Sequence, residues 1–531
     1  MRSLVRVACP EADRGYDGPT MPSTVRRPSR RLSTALLAVL LAAAAAVAGC
    51  AAGSSAGGGT DPASSVPASA PLYAEAVLAG DGQEQRDAQQ ALAKIVGTAD
   101  PQAAITKLFD RGGVQFDRDV QPWIGERVGA AALTLGRGGD KIVVAGSRDN
   151  DAANAALGRI APGAASRSYR GVSYRVDDKR HGLAAGVVGD TVVFGGENGL
   201  KAAIDASKGS SLAESDALKS ARSTVRQQRS GFLYANVESL LRQGLVGAGG
   251  GAAQLAPLVG PISEALPETV AAALDAEPGM LRIDSAAIGN GGGVRPAGSG
   301  ADALAALPSD AWLGLGVGEL GKTVDNVIER LSSGGGLAGV GVQAVLAQAQ
   351  QQIGLDIRRD LLAWMGDAGL SVSGDGDAPR VALVVASKDP AASQKTVRAL
   401  ETLARRNGDV SSLTGNGVDA GFTVKRDGKA GLVVASAGDR FVIASSRAAL
   451  KSALSPSGRL GDAPAFRDAA AKLGSGVRPS FFVDAQRLGD LAAAQHGGHG
   501  NAPALDAFGA LVGGGRQDGD VARGEAILTL K

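Results

Sequence analysis

The sequence predicts an α+β fold: two tandem similar domains, each a mainly antiparallel sheet with helices packed on one face. Three observations carry this. Five short motifs recur in the same order at a spacing of 240 to 250 residues. Gly-Asp pairs stand between apolar runs at Gly189-Asp190 and Gly438-Asp439, and so tight a turn joins antiparallel neighbours. Strand-like runs interleave with helical stretches, and Phe422 with Val424, like Leu432 with Val434, alternate as on a half-buried strand.

The repeat is visible residue by residue. Trp123-Ile124-Gly125-Glu126 stands 241 positions before Trp364-Met365-Gly366-Asp367. Residues 143–149 are matched by 383–389, 182–190 by 431–439, and 200–203 by 450–453. Leu233-Tyr234-Ala235-Asn236 is matched by Phe481-Phe482-Val483-Asp484. The copies span residues 71–293 and 308–531, with 294–307 as a Gly-rich linker.

Each copy reads as one string of elements. An opening strand (72–78; 311–317) is followed by two helices (85–96 and 101–109; 323–331 and 342–353). The Trp-x-Gly-acidic corner leads into a strand pair, 128–135 with 142–147. Asp149 and Asp389 are N-caps for the next helix, and Pro390 sits at the first helical position, where its missing N–H costs nothing. Strands at 172–176 and 182–188 then reach the Gly-Asp turn, where Gly supplies the positive φ that a type II′ hairpin needs. A helix (200–206; 447–454), a strand (232–237; 480–485) and a closing strand (280–288; 523–530) complete the copy.

Before the repeats, Arg26, Arg27, Arg30 and Arg31 precede an apolar run over 35–47 and then Val47-Ala48-Gly49-Cys50. That order resembles a bacterial lipoprotein signal, with Met21 as a candidate start. The resemblance implies that residues 1–49 are removed, that Cys50 is lipidated, and that the body is displayed outside the cytoplasmic membrane. Residues 50–70 are Gly, Ser, Ala and Pro almost throughout and read as a flexible tether. The run is shorter than the ~20 apolar residues of a membrane span, although an uncleaved anchor helix is the alternative.

Composition narrows the function. Cys9 and Cys50 are the two cysteines, so the exported body has no disulfide and depends on its core. Of 55 Lys+Arg and 53 Asp+Glu, seven and three precede Cys50, which leaves 48 and 50, with no basic block to suit a nucleic acid. Aromatics are 3% of the chain, which disfavours a carbohydrate site built on stacking.

No motif supplies a catalytic, cofactor or metal set. Trp123 and Trp364 read as core anchors at a corner shaped by Gly125 and Gly366, with ligand stacking as the alternative. Gly316-Val317-Gly318-Glu319-Leu320-Gly321 fits G-x-G-x-x-G, but glycines follow where a second strand belongs. Gly53-Ser54-Ser55-Ala56-Gly57 lies in the tether, where nothing strains its serine. His496 and His499 lack further ligands, and His181 sits in a turn. Asp117, Asp119 and Glu126 match Asp356, Asp360 and Asp367, a duplicated set that fits either a cation or simple solvation and capping.

The opening Pro71-Leu72-Tyr73-Ala74-Glu75, the Pro122-Trp123-Ile124-Gly125-Glu126 corner and Gly189-Asp190 resemble domain-of-unknown-function family 3352, proteins mostly of actinobacteria. The resemblance implies no activity and no cofactor. The expectation is a non-enzymatic, lipid-anchored envelope protein that binds an envelope protein partner or a small ligand. A solute-binding receptor and a cell-wall hydrolase are the alternatives.

Overall fold

The computed structural model describes residues 60–531, except 79–81, 101–102, 104–105, 108, 111–112, 136–138, 179–181, 227–228, 248–266, 290–296, 334–342, 345, 349, 352–353, 375–378, 416, 427–428, 496–505 and 519–520. Cys9, the apolar run, Cys50, the Gly53–Gly57 motif, His181, His496 and His499 lie outside the described residues. So do parts of the helices expected at 101–109 and 342–353.

The first half forms β1 (Leu72–Val77), α1 (Gly82–Val96), α2 (Phe116–Asp119), β2 (Ile124–Ala132), β3 (Lys141–Ser147), α3 (Asn150–Ile160), β4 (Ala165–Tyr169), β5 (Val172–Asp177), β6 (Leu183–Val188), β7 (Thr191–Gly196), α4 (Glu197–Ser207), α5 (Asp216–Thr224), β8 (Gly231–Asn236), α6 (Val237–Gly247), β9 (Thr269–Glu277) and β10 (Met280–Ile288). The second forms α7 (Ala301–Ala305), β11 (Ala311–Val317), α8 (Leu320–Ser333), β12 (Met365–Ser373), β13 (Arg380–Ser387), α9 (Pro390–Asn407), β14 (Val410–Ser412), β15 (Ala420–Arg426), β16 (Lys429–Ala437), β17 (Arg440–Ala444), α10 (Arg447–Leu454), α11 (Pro464–Ala470), β18 (Arg478–Asp484), α12 (Ala485–Gln495), β19 (Phe508–Asp518) and β20 (Val521–Leu530).

Among the described residues every strand pairing is antiparallel, and the fold is α+β. In the first half the strands lie in the order β4-β5-β6-β7-β3-β2-β1-β8-β9-β10. From the far edge, the second half runs β14-β15-β16-β17-β13-β12-β11-β18-β19-β20. The halves join where β10 pairs with β20, from Met280 opposite Thr529 to Ala287 opposite Ala522, with Asp284 facing Glu525. At this joint Arg282 Nε donates to Glu277 Oε1 at 2.5 Å and its Nη1 to Glu525, so the seam is tied by charge as well as by backbone.

Local signals act as the chain chemistry dictates. The carboxylates of Asp149 and Asp389 accept from Ala152 N (2.9 Å) and Ala392 N (3.0 Å), capping α3 and α9. Gly189 has φ 58° and Gly438 φ 57°, while neither following Asp has positive φ, which is the type II′ pattern.

Three expectations are corrected. Helices pack on both faces of the sheet, not on one. Residues 142–145 of β3 are all buried: Val143 and Ala145 pack with α3, whereas Ile142 and Val144 pack with α4 and α5. The second half repeats this, with Val434 under α9 and Val433 and Ala435 under α10. Period-2 alternation marks a one-sided strand, and these central strands are apolar on both sides. The flexible tether does not extend to residue 70. Asp61 caps a 3-10 turn, Pro62–Ser65, and Ala63, Val66 and Ala70 are at most 1% exposed within the core. The linker is likewise partly folded, since Leu304 of α7 and Leu307 pack against Phe466 and Phe482. The edge strands β4 and β14 were not anticipated, because their sequences carry polar residues at inward and outward positions alike.

Candidate functional site

The residues that stood out in the sequence come together, but as a structural joint. Trp123 and Trp364 are 3% and 2% exposed. Trp123 Nε1 donates to Asp119 O at 2.7 Å and Trp364 Nε1 to Asp360 O at 3.1 Å. The tryptophan carbonyls accept from Arg148 N and Lys388 N, each at 2.8 Å. The preceding amides, Ser147 N and Ser387 N, donate to Asp190 O (2.9 Å) and Asp439 O (2.6 Å). Corner and hairpin turn are therefore locked through two consecutive residues, twice over. A Cβ on Gly125 or Gly366 would lie 3.0 Å from Gly146 O or Ala386 O, so both positions demand the close approach that glycine permits.

The duplicated carboxylates divide between roles. Asp119, with a side chain 1% exposed, accepts from Arg118 Nε (2.9 Å), Arg159 Nε (3.0 Å) and Gln115 N (3.1 Å). Asp360 accepts from Arg359 Nε (3.1 Å) and Asp356 N (3.0 Å). Asp367 accepts from Glu319 N at 2.8 Å. Among the described residues, no group of three His, Cys, Asp or Glu is placed to hold a metal ion.

The hydrogen bonds from Arg118 hold Asp119 well below the usual carboxylate range, against the opposing effect of burial. Those from Arg359, with the Asp356 amide, bring Asp360 down to about 2. Both folded-state values lie below that of an unfolded chain, so the stability they contribute is present above about pH 4 and is lost as pH falls through the folded values. Urea midpoints are expected to drop between about pH 4 and 2, with a shallower drop in the Asp119→Asn, Asp360→Asn double variant. An unchanged slope in that variant would remove these two groups from the account.

A different place has the shape of a binding site. Helix α1 crosses the centre of the sheet, packing Ala88, Ala91 and Ile95 against Ala276, Leu281 and Leu530 of strands from both halves. Beside it opens a cleft of about 430 Å3 lined by Ala76, Leu92, Leu233, Ala272, Leu274 and Ile283, among others. Leu233 is 45% and Leu274 37% exposed, on strands β8 and β9 that lie mid-sheet. Glu75 borders the cleft through its backbone position. Its carboxylate points to the other face, where it accepts from Tyr73 Oη (2.8 Å) and Arg222 Nη2 (2.5 Å). Burial, with Glu75 nearby, drives the Tyr73 hydroxyl well above its ordinary pKa.

Sequence reasoning missed this cleft. Leu233 stood at an outward position of an expected strand, but single exposed leucines are ordinary on a protein surface, and Leu274 lies on β9, a strand the sequence reading did not anticipate. It also passed over Trp312, the third tryptophan, which is half-buried at the start of β11. Among the described residues no helix is long and apolar enough to cross a membrane.

No curated protein matches the chain. Two solved structures, crystal forms I and IV of TP0453, are similar at 13% identity, covering 44% and 43% of this chain and 80% and 79% of that one. Each has a TM-score of 0.24, too low to carry an argument. The family described as "Protein of unknown function (DUF3352)" matches residues 32–497, which is most of the sequence. This chain belongs to the DUF3352 family.

Proposed function

We propose that the protein is a non-enzymatic binding module of the cell envelope, attached by a lipid on Cys50 to the outer face of the cytoplasmic membrane, and that its central cleft takes a lipid acyl chain. The supporting observation is the cleft beside α1, lined by alanine, leucine and isoleucine, with Leu233 and Leu274 left partly in water. Such a surface binds by withdrawing methylenes from water, at about 0.8 kcal/mol each. It has little to offer a polar substrate. Ten residues lead from Cys50 to Thr60, the first described residue, a reach of at most about 35 Å. On this reading the cleft works close to the lipid surface.

We also read the chain as a tandem duplication of one ten-stranded unit. The shared strand order, the two tryptophan corners and the seam between β10 and β20 support that reading.

The test uses the full chain carrying Cys50→Ala and a dansyl-labelled undecanoic acid. Binding is expected, and Ala272→Trp, which fills the cleft, weakens it by at least about tenfold, or ~1.4 kcal/mol. Equal affinity in the two forms overturns the cleft assignment. The anchor is tested separately: Cys50→Ala protein that still sediments with membranes like the wild type overturns the lipid attachment and leaves the cleft result standing.

A further inference from the structure

The chain has three tryptophans, and two of them close the corners. The third has no such duty. Trp312 lines a cavity of about 780 Å3 at the strand ends of the second half, between the start of β11, the start of β13, the N-terminus of α10 and the end of β18. That volume lies within the range of small-ligand sites. The Trp312 Nε1 is enclosed by protein and has no hydrogen-bond partner among the described residues, although indole N–H groups are normally paired when buried. The first half has no aromatic ring at this place, since Pro71 precedes Leu72 on β1 where Trp312 precedes Leu313 on β11.

The rest of the wall mixes apolar residues, Phe482 and several alanines among them, with polar groups balanced in charge. Arg380 Nη2 donates to Asp310 Oδ2 at 2.5 Å, and its Nε to Ser373 Oγ at 3.3 Å. Ser446 Oγ accepts from Ala449 N at 3.1 Å, capping α10. Asp484 Oδ1 accepts from Arg487 N at 3.0 Å. Arg487 and the exposed Ser445 and Ser309 complete the polar rim. Two arginines against two aspartates leave no net charge to select an ion. Trp312 is the more exposed of the two aromatic rings in the wall, since Phe482 is buried, and an indole face beside carboxylates, guanidiniums and hydroxyls suits a ring with an apolar C–H face and a hydroxylated edge.

We propose that this cavity binds a saccharide, with Trp312 stacked on the sugar's apolar face and Asp310, Arg380, Asp484 and Arg487 around its hydroxyls. The scarcity of aromatics, which counted against carbohydrate binding in the sequence, does not oppose a site that needs one ring. The site is separate from the cleft beside α1 and does not depend on it.

The test places the labelled full chain on a printed glycan array and follows array-positive glycans by tryptophan fluorescence. Wild-type protein is expected to bind at least one glycan class and to change its emission on doing so, because Trp312 is the most exposed of the three tryptophans. Trp312→Phe keeps binding through its ring, and Trp312→Ala weakens it by about tenfold or more. An array in which the wild type binds nothing above background overturns the proposal, as does equal binding by Trp312→Ala. Should Trp312→Ala fail to fold, the wild-type emission decides: bound glycan with no change in tryptophan fluorescence places the sugar elsewhere.

Discussion

Trp364→Ala is expected to destabilise the protein by about 3–5 kcal/mol, the range for removing a large aromatic side chain from a core. The indole is 2% exposed, and its ring centroid lies 5.2 Å from that of Phe441 at a tilt of 59°. Its Nε1 reaches both Asp360 O and Thr396 Oγ1, at 3.1 and 3.2 Å. Truncation therefore leaves a cavity and removes a donor from two buried acceptors. Trp364→Phe isolates the second effect and should cost less. Trp123→Ala is expected to behave alike, since its indole is held the same way by Asp119 O. Urea denaturation of the three variants is the measurement, and a loss below about 1 kcal/mol for either alanine variant would contradict a core role.

The second large effect is expected at Arg222. Its guanidinium holds Asp61 at 2.5 and 3.0 Å and Glu75 at 2.5 Å. The Glu75 side chain is 2% exposed. Burial lowers the Arg222 pKa, but its hydrogen bonds to Asp61 and the charges of Glu75 and Asp61 outweigh that and push it above its ordinary value. Arg222→Ala leaves the Glu75 carboxylate inside the protein with the Tyr73 hydroxyl and the charge of Arg127, 3.5 Å away and half-exposed. Removing one member of a buried pair costs about 3–5 kcal/mol, and the remaining Arg127 favours the lower end. Arg222→Met with Glu75→Gln should recover part of that loss, because Glu75, the more buried of the two carboxylates, then carries no charge to strand. Proteolysis gives a second readout. The segment at 61–70 is tied to the body through Asp61, so Arg222→Ala should expose it to cleavage well before the core melts. Cleavage at the wild-type rate would mean that the clamp does not hold this segment.

The features legible in the sequence were those with a local cause. The Asp149 and Asp389 caps, the Gly-Asp hairpins and the opening strands could be read because a short motif needs a particular backbone. The corner tryptophans were legible as anchors, but not their link to the hairpin turns, which runs through Ser147 and Ser387 amides from distant sequence. What escaped depended on long-range placement. Val433 and Ala435 reveal a second covered face only once α10 is seen above them. Asp61, Ala63 and Val66 are indistinguishable from tether by composition, and they fold because Arg222 and the core receive them. The cleft beside α1 arises because that helix spans strands from both halves, a position that no periodicity in residues 82–96 encodes.

The twenty hydrogen-bonded strands among the described residues stand in one row, which would ordinarily invite other chains to continue it. Here both outermost ribbons are poor starting points. Arg167 on β4 is engaged by Asp178 at 3.1 Å and Glu197 at 2.5 Å, which sets charge along that border, and β14 offers three residues. Charged and abbreviated borders deter stacking of copies into fibrils. Copies can then be crowded together without their sheets joining edge to edge.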